Sequence, residues 1–151
     1  MEGQLRFPGK AWIEGAEVAP DLGLRDEGGI KAVIRNTTRG TILATREEWA
    51  RDPASRARGL LGRTCLEDGE ALILSPCNSI HMFLMKFAID VVFVAEDGRV
   101  IRTIEALKPW RFTRIHFGAR HTIELPVGVV ASTGTTRGDM LSLSDNPPKD
   151  P

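Results

Sequence analysis

The sequence predicts a mainly β domain, an antiparallel barrel or sandwich carrying one short α-helix at about residues 53–61. Three observations lead there. Short apolar runs alternate with turn-forming clusters from residue 31 to residue 107. A single helical pattern stands out, and it is only about two turns long. The long helix that would bridge parallel strands is missing, so neighbouring runs are expected to pair antiparallel.

Taken in order, residues 31–35 (Lys-Ala-Val-Ile-Arg) form a short strand that ends at the turn Asn36-Thr37-Thr38-Arg39-Gly40, and a second strand runs over 41–50. The helix follows. Asp52 caps it, Pro53 takes the first helical position, and Pro53, Ala57, Leu60 and Leu61 make its apolar stripe. Gly62 stands where a left-handed terminating residue is wanted, and so short a helix has to be held by docking on the sheet. Ala71-Leu72-Ile73-Leu74 is a continuous apolar run, as a strand buried on both faces requires. Further strands are expected over 80–87, 89–95 and 99–107. The last two are joined at Glu96-Asp97-Gly98-Arg99 by a two-residue Asp-Gly turn with both central residues at positive φ, bringing Glu96 opposite Arg99. A second helical turn is expected near 128–132.

The chain has 151 residues, the length of one domain, and its 42% hydrophobic content is enough for a core. Residues 1–29 hold six acidic and three basic side chains with scattered apolar residues; they read as an N-terminal arm anchored by Trp12-Ile13. The domain proper spans 30–143, and 144–151 reads as a disordered tail. Twenty basic and twenty acidic residues cancel, which gives no reason to expect attachment to nucleic acid or to a membrane. No apolar run reaches the roughly 20 residues of a spanning helix. The acidic opening residues do not resemble a secretion signal, and Cys65 and Cys77 are too few for a disulfide scaffold. These features point to a soluble cytoplasmic protein.

Chemistry-bearing residues concentrate at 76–90. Strand alternation would put Cys77, Ser79, His81, Phe83, Met85 and Phe87 on one face and Met82, Leu84, Lys86, Ala88 and Asp90 on the other. Cys77, His81 and Met85 are soft metal ligands, but four residues of strand span about 13 Å, too far for one ion; no metal and no cofactor are expected. Cys77 as nucleophile with His81 as base is a second possibility, with His116 and His121 as other candidate bases. No orienting carboxylate or glycine-rich oxyanion loop accompanies them. Lys86 and Asp90 are four residues apart, and Arg56 or Glu124 could join them in space. Residues 99–121 carry six basic side chains and one acid, with Trp110, Phe112 and Phe117 among them, while 67–98 carry six acids and only Lys86. Blocks of opposite sign are expected to pair within the fold or at an interface.

The runs Leu43-Ala44-Thr45-Arg46, Arg56-Ala57-Arg58-Gly59-Leu60-Leu61-Gly62-Arg63, Pro76-Cys77-Asn78-Ser79-Ile80-His81 and Met85-Lys86-Phe87-Ala88-Ile89-Asp90-Val91-Val92-Phe93 occur in this order. They are followed by Leu107-Lys108-Pro109-Trp110-Arg111, Gly118-Ala119-Arg120, Glu124-Leu125-Pro126-Val127-Gly128 and Gly138-Asp139. Together they resemble the DUF192 family, a domain of unknown function, over about residues 31–142. The resemblance implies a small β-rich barrel or sandwich. It also implies that Arg56, Gly59-Leu60, Met85-Lys86, Asp90 and Glu124 belong to the family pattern. Ala88 stands where proline is usual there, Leu61 where methionine is usual, and Met82 where threonine is common.

The function expected from these residues is a non-enzymatic β domain that binds a small molecule or a protein partner. Its site is expected at Arg56, His81, Met85, Lys86, Asp90 and Trp110. Arg56 and Lys86 would recognise charge, Trp110 would stack, and His81 and Asp90 would orient the ligand. The alternative is a small Cys/His-dependent enzyme using Cys77 and His81.

Overall fold

A computed structural model describes residues 25–26, 29–30 and 33–144; most of the expected N-terminal arm, and the tail beyond 144, lie outside the described residues. Ten strands and two short helices follow one another as β1 (Arg25–Asp26), β2 (Gly29–Ile30), β3 (Ile34–Asn36), β4 (Thr41–Ala44), β5 (Arg46–Ala50), α1 (Pro53–Arg58), β6 (Glu70–Leu74), β7 (Ile89–Val94), β8 (Val100–Leu107), β9 (His121–Leu125), α2 (Val129–Thr133) and β10 (Leu141–Ser142). β1 and β2 pair as a two-stranded ribbon, β10-β3-β4 make a small sheet, and β5-β6-β9-β7-β8 make the main one. The two larger sheets pack as a sandwich, and no barrel closes among the described residues.

Both faces of the main sheet are covered. Ala71, Ile73, Val92 and Ile123 meet Ile34 and Leu43 of the small sheet and Val129 and Val130 of α2. On the opposite face Leu72, Val91 and Phe93 meet Leu60, Ile80, Met82 and Met85 from the segments between β5 and β7. Every residue of β7 and of β9 is therefore buried, and in β7 this burial on both faces goes with the continuous apolar run Val91-Val92-Phe93-Val94 rather than with alternation.

Six expectations are corrected. The strand expected over 41–50 breaks at Thr45, where the backbone N–H groups of Thr45 and Arg46 both donate to the Gly69 carbonyl at 2.9 Å, and the chain passes from the small sheet to the main one. β5 then pairs with β6 in parallel, Arg46 beside Glu70 and Ala50 beside Leu74. Residues 51–69, with their single short helix, suffice for that crossover, so the missing long helix did not exclude a parallel pair. α1 ends at Arg58, because Gly59 at φ 46° turns the chain before Gly62 does. No residue of α1 is buried; Leu60, just past its end, supplies the docking that the Pro53–Ala57 stripe does not.

The β7–β8 hairpin exists but turns differently. Gly98 alone has positive φ, 97°, and a three-residue loop is closed by Gly98 N–H donating to the Ala95 carbonyl and Ala95 N–H to the Arg99 carbonyl. Asp97 lies 3.3 Å from the Arg99 guanidinium. A side chain at position 98 would run into the Leu141 carbonyl, so glycine is required both by φ and by the close passage of β10.

The largest difference is at 80–87, which is not a strand. A single bridge pairs His81 with Phe112; beyond it the chain folds back, Met85 N–H reaching the Met82 carbonyl and Leu84 adopting φ 64°. Met82 and Met85, three apart, are the buried pair, while His81, Phe83, Leu84 and Lys86 are exposed. With six apolar residues in eight, nearly any period fits this stretch, and the turn won over the ladder.

Candidate functional site

α1 starts where its cap residues dictate: Ser55 N–H donates to the Asp52 carboxylate at 2.8 Å and Ser55 Oγ donates to it at 2.7 Å, which holds the Asp52 carboxyl below its ordinary range. The helix sets Arg56 over the end of β6, where its guanidinium donates to the carbonyls of Arg51 and Ser75 at 3.3 and 3.4 Å. Opposite stands the 76–85 segment. It is fixed to residues 110–113 by Met82 N–H donating to the Arg111 carbonyl, Trp110 N–H to the Met82 carbonyl and Thr113 N–H to the Ile80 carbonyl. Between helix and segment lies a cavity of about 240 Å³ whose walls include Arg56, Cys77, His81 and Met85.

Its chemical peculiarity is Glu124. This residue sits on β9, flanked across the ladder by Leu72 of β6 and Val91 of β7, and it lines the cavity while only 6% exposed. Its Oε2 is sealed from solvent without a hydrogen-bond partner, and among the described residues no cation pairs with the carboxylate. Burial alone pushes its pKa up from the ordinary 4.5 to about 7. A carboxyl placed this way is proton-ambiguous at neutral pH, and it would gain much from any donor that entered the cavity.

Of the six expected site residues, the structure gathers Arg56, His81 and Met85 around this cavity. Trp110 stands beside it, 62% exposed and at φ 66°. It ends a surface ladder in which the His81 and Phe83 rings stack at 4.9 Å and the Phe83 and Trp110 rings lie 6.2 Å apart. Lys86 is exposed and does not line the cavity. Asp90 is wholly buried elsewhere. Its carboxylate accepts the backbone N–H of Ala106 at 2.9 Å, of Gly128 at 3.0 Å and of Val130 at 2.9 Å. It thus ties β8 and the start of α2 to β7, a backbone-holding role in place of the ligand-orienting one expected.

Cys77 and His81 share the cavity, but the Cys77 thiol donates to the Ser79 carbonyl at 3.2 Å and no thiol–imidazole hydrogen bond forms. The other histidines stand elsewhere. Burial, then the Arg120 and Arg51 charges, hold His121 below its ordinary pKa; its Nδ1 lies 2.8 Å from Ser75 Oγ. Burial, then Arg102 and Arg114, do the same for His116, whose ring lies 4.2 Å from that of Phe93. Among the described residues no three His, Cys, Asp or Glu side chains converge as a metal would need.

Between the opposite-sign blocks one ion pair forms among the described residues, Asp97 with Arg99 at the β7–β8 turn. Glu67 and Glu70 face Arg46, and Glu70 also Arg63. Of the basic side chains in 99–121, Arg99 alone forms an ion pair among the described residues, with Asp97. A shallow hollow of about 680 Å³ on the β8 side is accordingly lined by Arg102, Arg114 and Arg137 with no carboxylate.

Glu124, which the sequence reading offered only as a group that could join Lys86 and Asp90, lines the cavity, and Arg58 is a lining residue that reading did not place. Glu124 had a visible signal, a lone acid between Ile123 and Leu125.

Comparison with known proteins places this geometry in context. A family model, DUF192, described as "Uncharacterized ACR, COG1430", matches residues 34–143. A UPF0127 protein of Thermococcus sibiricus is 33% identical over 113 residues, covering 72% of this chain and 73% of the relative. A UPF0127 protein of Thermococcus gammatolerans is 31% identical over 114 residues, covering 73% and 74%. Two crystal structures share the fold. A protein of unknown function from Novosphingobium aromaticivorans has a TM-score of 0.64 at 25% identity, covering 75% of this chain and 84% of that one. A putative transcription regulator from Sinorhizobium meliloti has a TM-score of 0.63 at 22% identity, covering 76% and 92%. No helix among the described residues is long and apolar enough to cross a membrane.

Proposed function

The chain belongs to the DUF192 family, a family of uncharacterised function, and we propose that it is a non-enzymatic binding domain that takes a small ligand between α1 and the 76–85 segment. The observation that carries this reading is a buried carboxyl whose Oε2 has no hydrogen-bond partner among the described residues, on the wall of a cavity that also holds charged and aromatic groups. Natural folds seldom leave a buried polar atom unmatched unless a function uses it. Arg56 supplies charge, Met85 and Leu60 supply apolar contact, and His81 with Phe83 and Trp110 supplies ring faces beside the cavity.

Binding rather than thiol catalysis is favoured because the Cys77 S–H is committed to a backbone carbonyl, whereas a working nucleophile faces its base. The test is a fragment screen read by methyl NMR at Leu60, Met82 and Met85. The reading requires at least one saturable binder that shifts these three methyl groups. A screen whose hits move methyl groups elsewhere and leave these unmoved would overturn it.

A further inference from the structure

We propose that the cavity takes a linear zwitterion, an aliphatic amine whose far end carries an acid group, with the ammonium on Glu124 and the acid group on Arg56 and Arg58. This rests on reading the cavity as the ligand site and goes on to name the chemical class.

Each part of the ligand answers a part of the wall. Glu124 is a buried acceptor whose Oε2 no donor among the described residues satisfies, and its ladder neighbours Leu72 and Val91 are apolar. An ammonium group offers three donors and the compensating charge in one small head. Removing a carboxylate from water is costly unless a cation meets it, so the protein alone leaves this site in deficit. Nearer the surface, Arg56 is half-buried and Arg58 exposed. The Arg56 guanidinium donates to two carbonyls, and among the described residues neither arginine pairs with a carboxylate. A purely cationic ligand would have to pass and then sit beside two positive charges, so an acid group at its outer end is needed to balance them. Between these charged ends the wall includes Leu60, Leu74, Ile80 and Met82, which suits a run of methylenes.

The pairing also sets a pH dependence. The ammonium needs Glu124 as carboxylate, and burial favours the protonated form up to about pH 7, so affinity falls as pH drops through that region. The titratable and charged groups facing Glu124 across the cavity are Arg56 and Arg58 on one wall and Cys77 and His81 on the other. The Glu124→Gln variant separates the Glu124 contribution from any made by His81.

The experiment is calorimetric titration of the full chain with 6-aminohexanoate, hexanoate and hexylammonium at pH 8 and pH 6, with methyl NMR locating each ligand. The wild type should bind 6-aminohexanoate at least tenfold more tightly than either single-ended compound at pH 8, and about tenfold more weakly at pH 6 than at pH 8. Glu124→Gln should lose the preference over hexanoate and the pH dependence together, and Arg56→Gln should lose the preference over hexylammonium. Hexanoate binding the wild type as well as 6-aminohexanoate does, with Leu60 and Met82 methyl shifts, would overturn the zwitterion and leave the cavity as a ligand site. The wild-type comparison decides this even if a variant fails to fold. If none of the three compounds shifts the cavity methyl groups, the zwitterion proposal falls. The broader reading is judged separately, by whether the fragment screen finds a binder there.

Discussion

Replacing Glu124 by Gln should make the protein more stable at pH 8 and leave it nearly unchanged at pH 4, and the size of the difference follows from burial. The carboxyl is raised from 4.5 to about 7 by desolvation. Between those values the folded chain holds a proton that the unfolded chain has released, so stability falls as pH rises. Each pH unit in that interval is worth about 1.4 kcal/mol, and the whole passage costs the wild type about 3 kcal/mol by pH 8, as a ceiling. Gln keeps the shape without titrating. The assay is urea unfolding of both proteins from pH 4 to pH 8.5, taking the difference so that other groups cancel. The variant's advantage should grow by 2–3 kcal/mol across pH 4.5–7 and then stay level, on the order the linkage relation sets. A flat difference, or one favouring the wild type at high pH, would refute the placement of an unpaired carboxyl in the core.

Asp90→Ala should cost about 3 kcal/mol or more in urea unfolding, because three backbone N–H groups lose one acceptor and α2 loses its tie to β7; a cost under about 1 kcal/mol would contradict that role. Gly98→Ala should lower the melting temperature by several degrees, since the new methyl group meets the Leu141 carbonyl and φ is 97°; an unchanged melting temperature would mean that β10 does not pass there. Burial pushes the Asp139 carboxyl up, but hydrogen bonds from Asn36, Arg39 and Thr136 outweigh it and leave it below its ordinary 3.8. Asp139→Asn should therefore destabilise the protein at neutral pH, and the gap should narrow as pH falls through the acid range. With a thiol reagent at pH 7, exposed Cys65 should be modified before half-buried Cys77. The reverse order would revive the thiol-enzyme reading.

How much of this was legible beforehand depended on which signals were local. The helix start was readable because Asp52-Pro53 encodes it within two residues, and β6 and β7 were readable because burial on both faces leaves unbroken apolar runs. The turn at 96–99 was readable as a hairpin, though not as its turn type, since Asp-Gly serves both a two-residue turn and the second half of a three-residue one. The sheet change at Thr45 was hidden, because it depends on the Gly69 carbonyl 24 residues away. So was the fate of 80–87, which is decided by hydrogen bonds to residues 110–113 rather than by its own pattern. At the site, Arg56, His81 and Met85 were named from chemistry and do share a cavity. Asp90 lies buried away from the cavity, and in sequence a carboxylate that holds backbone N–H groups looks like one that waits for a ligand. Glu124 was underrated because its significance lies in what fails to surround it, and only coordinates show that.

Central to the whole account is a carboxyl at position 124 that stays unpaired until a ligand arrives. The direct measurement is the pH titration of the Glu124 side-chain carbonyl carbon by NMR, with and without 6-aminohexanoate. The free protein should titrate near pH 7, and saturating ligand should draw the midpoint down by at least about one pH unit, the tenfold linkage expected of an ion pair. A free-protein midpoint near the ordinary 4.5 would contradict the buried, partnerless carboxyl. A midpoint near 7 that the ligand leaves unmoved would contradict the ion pair.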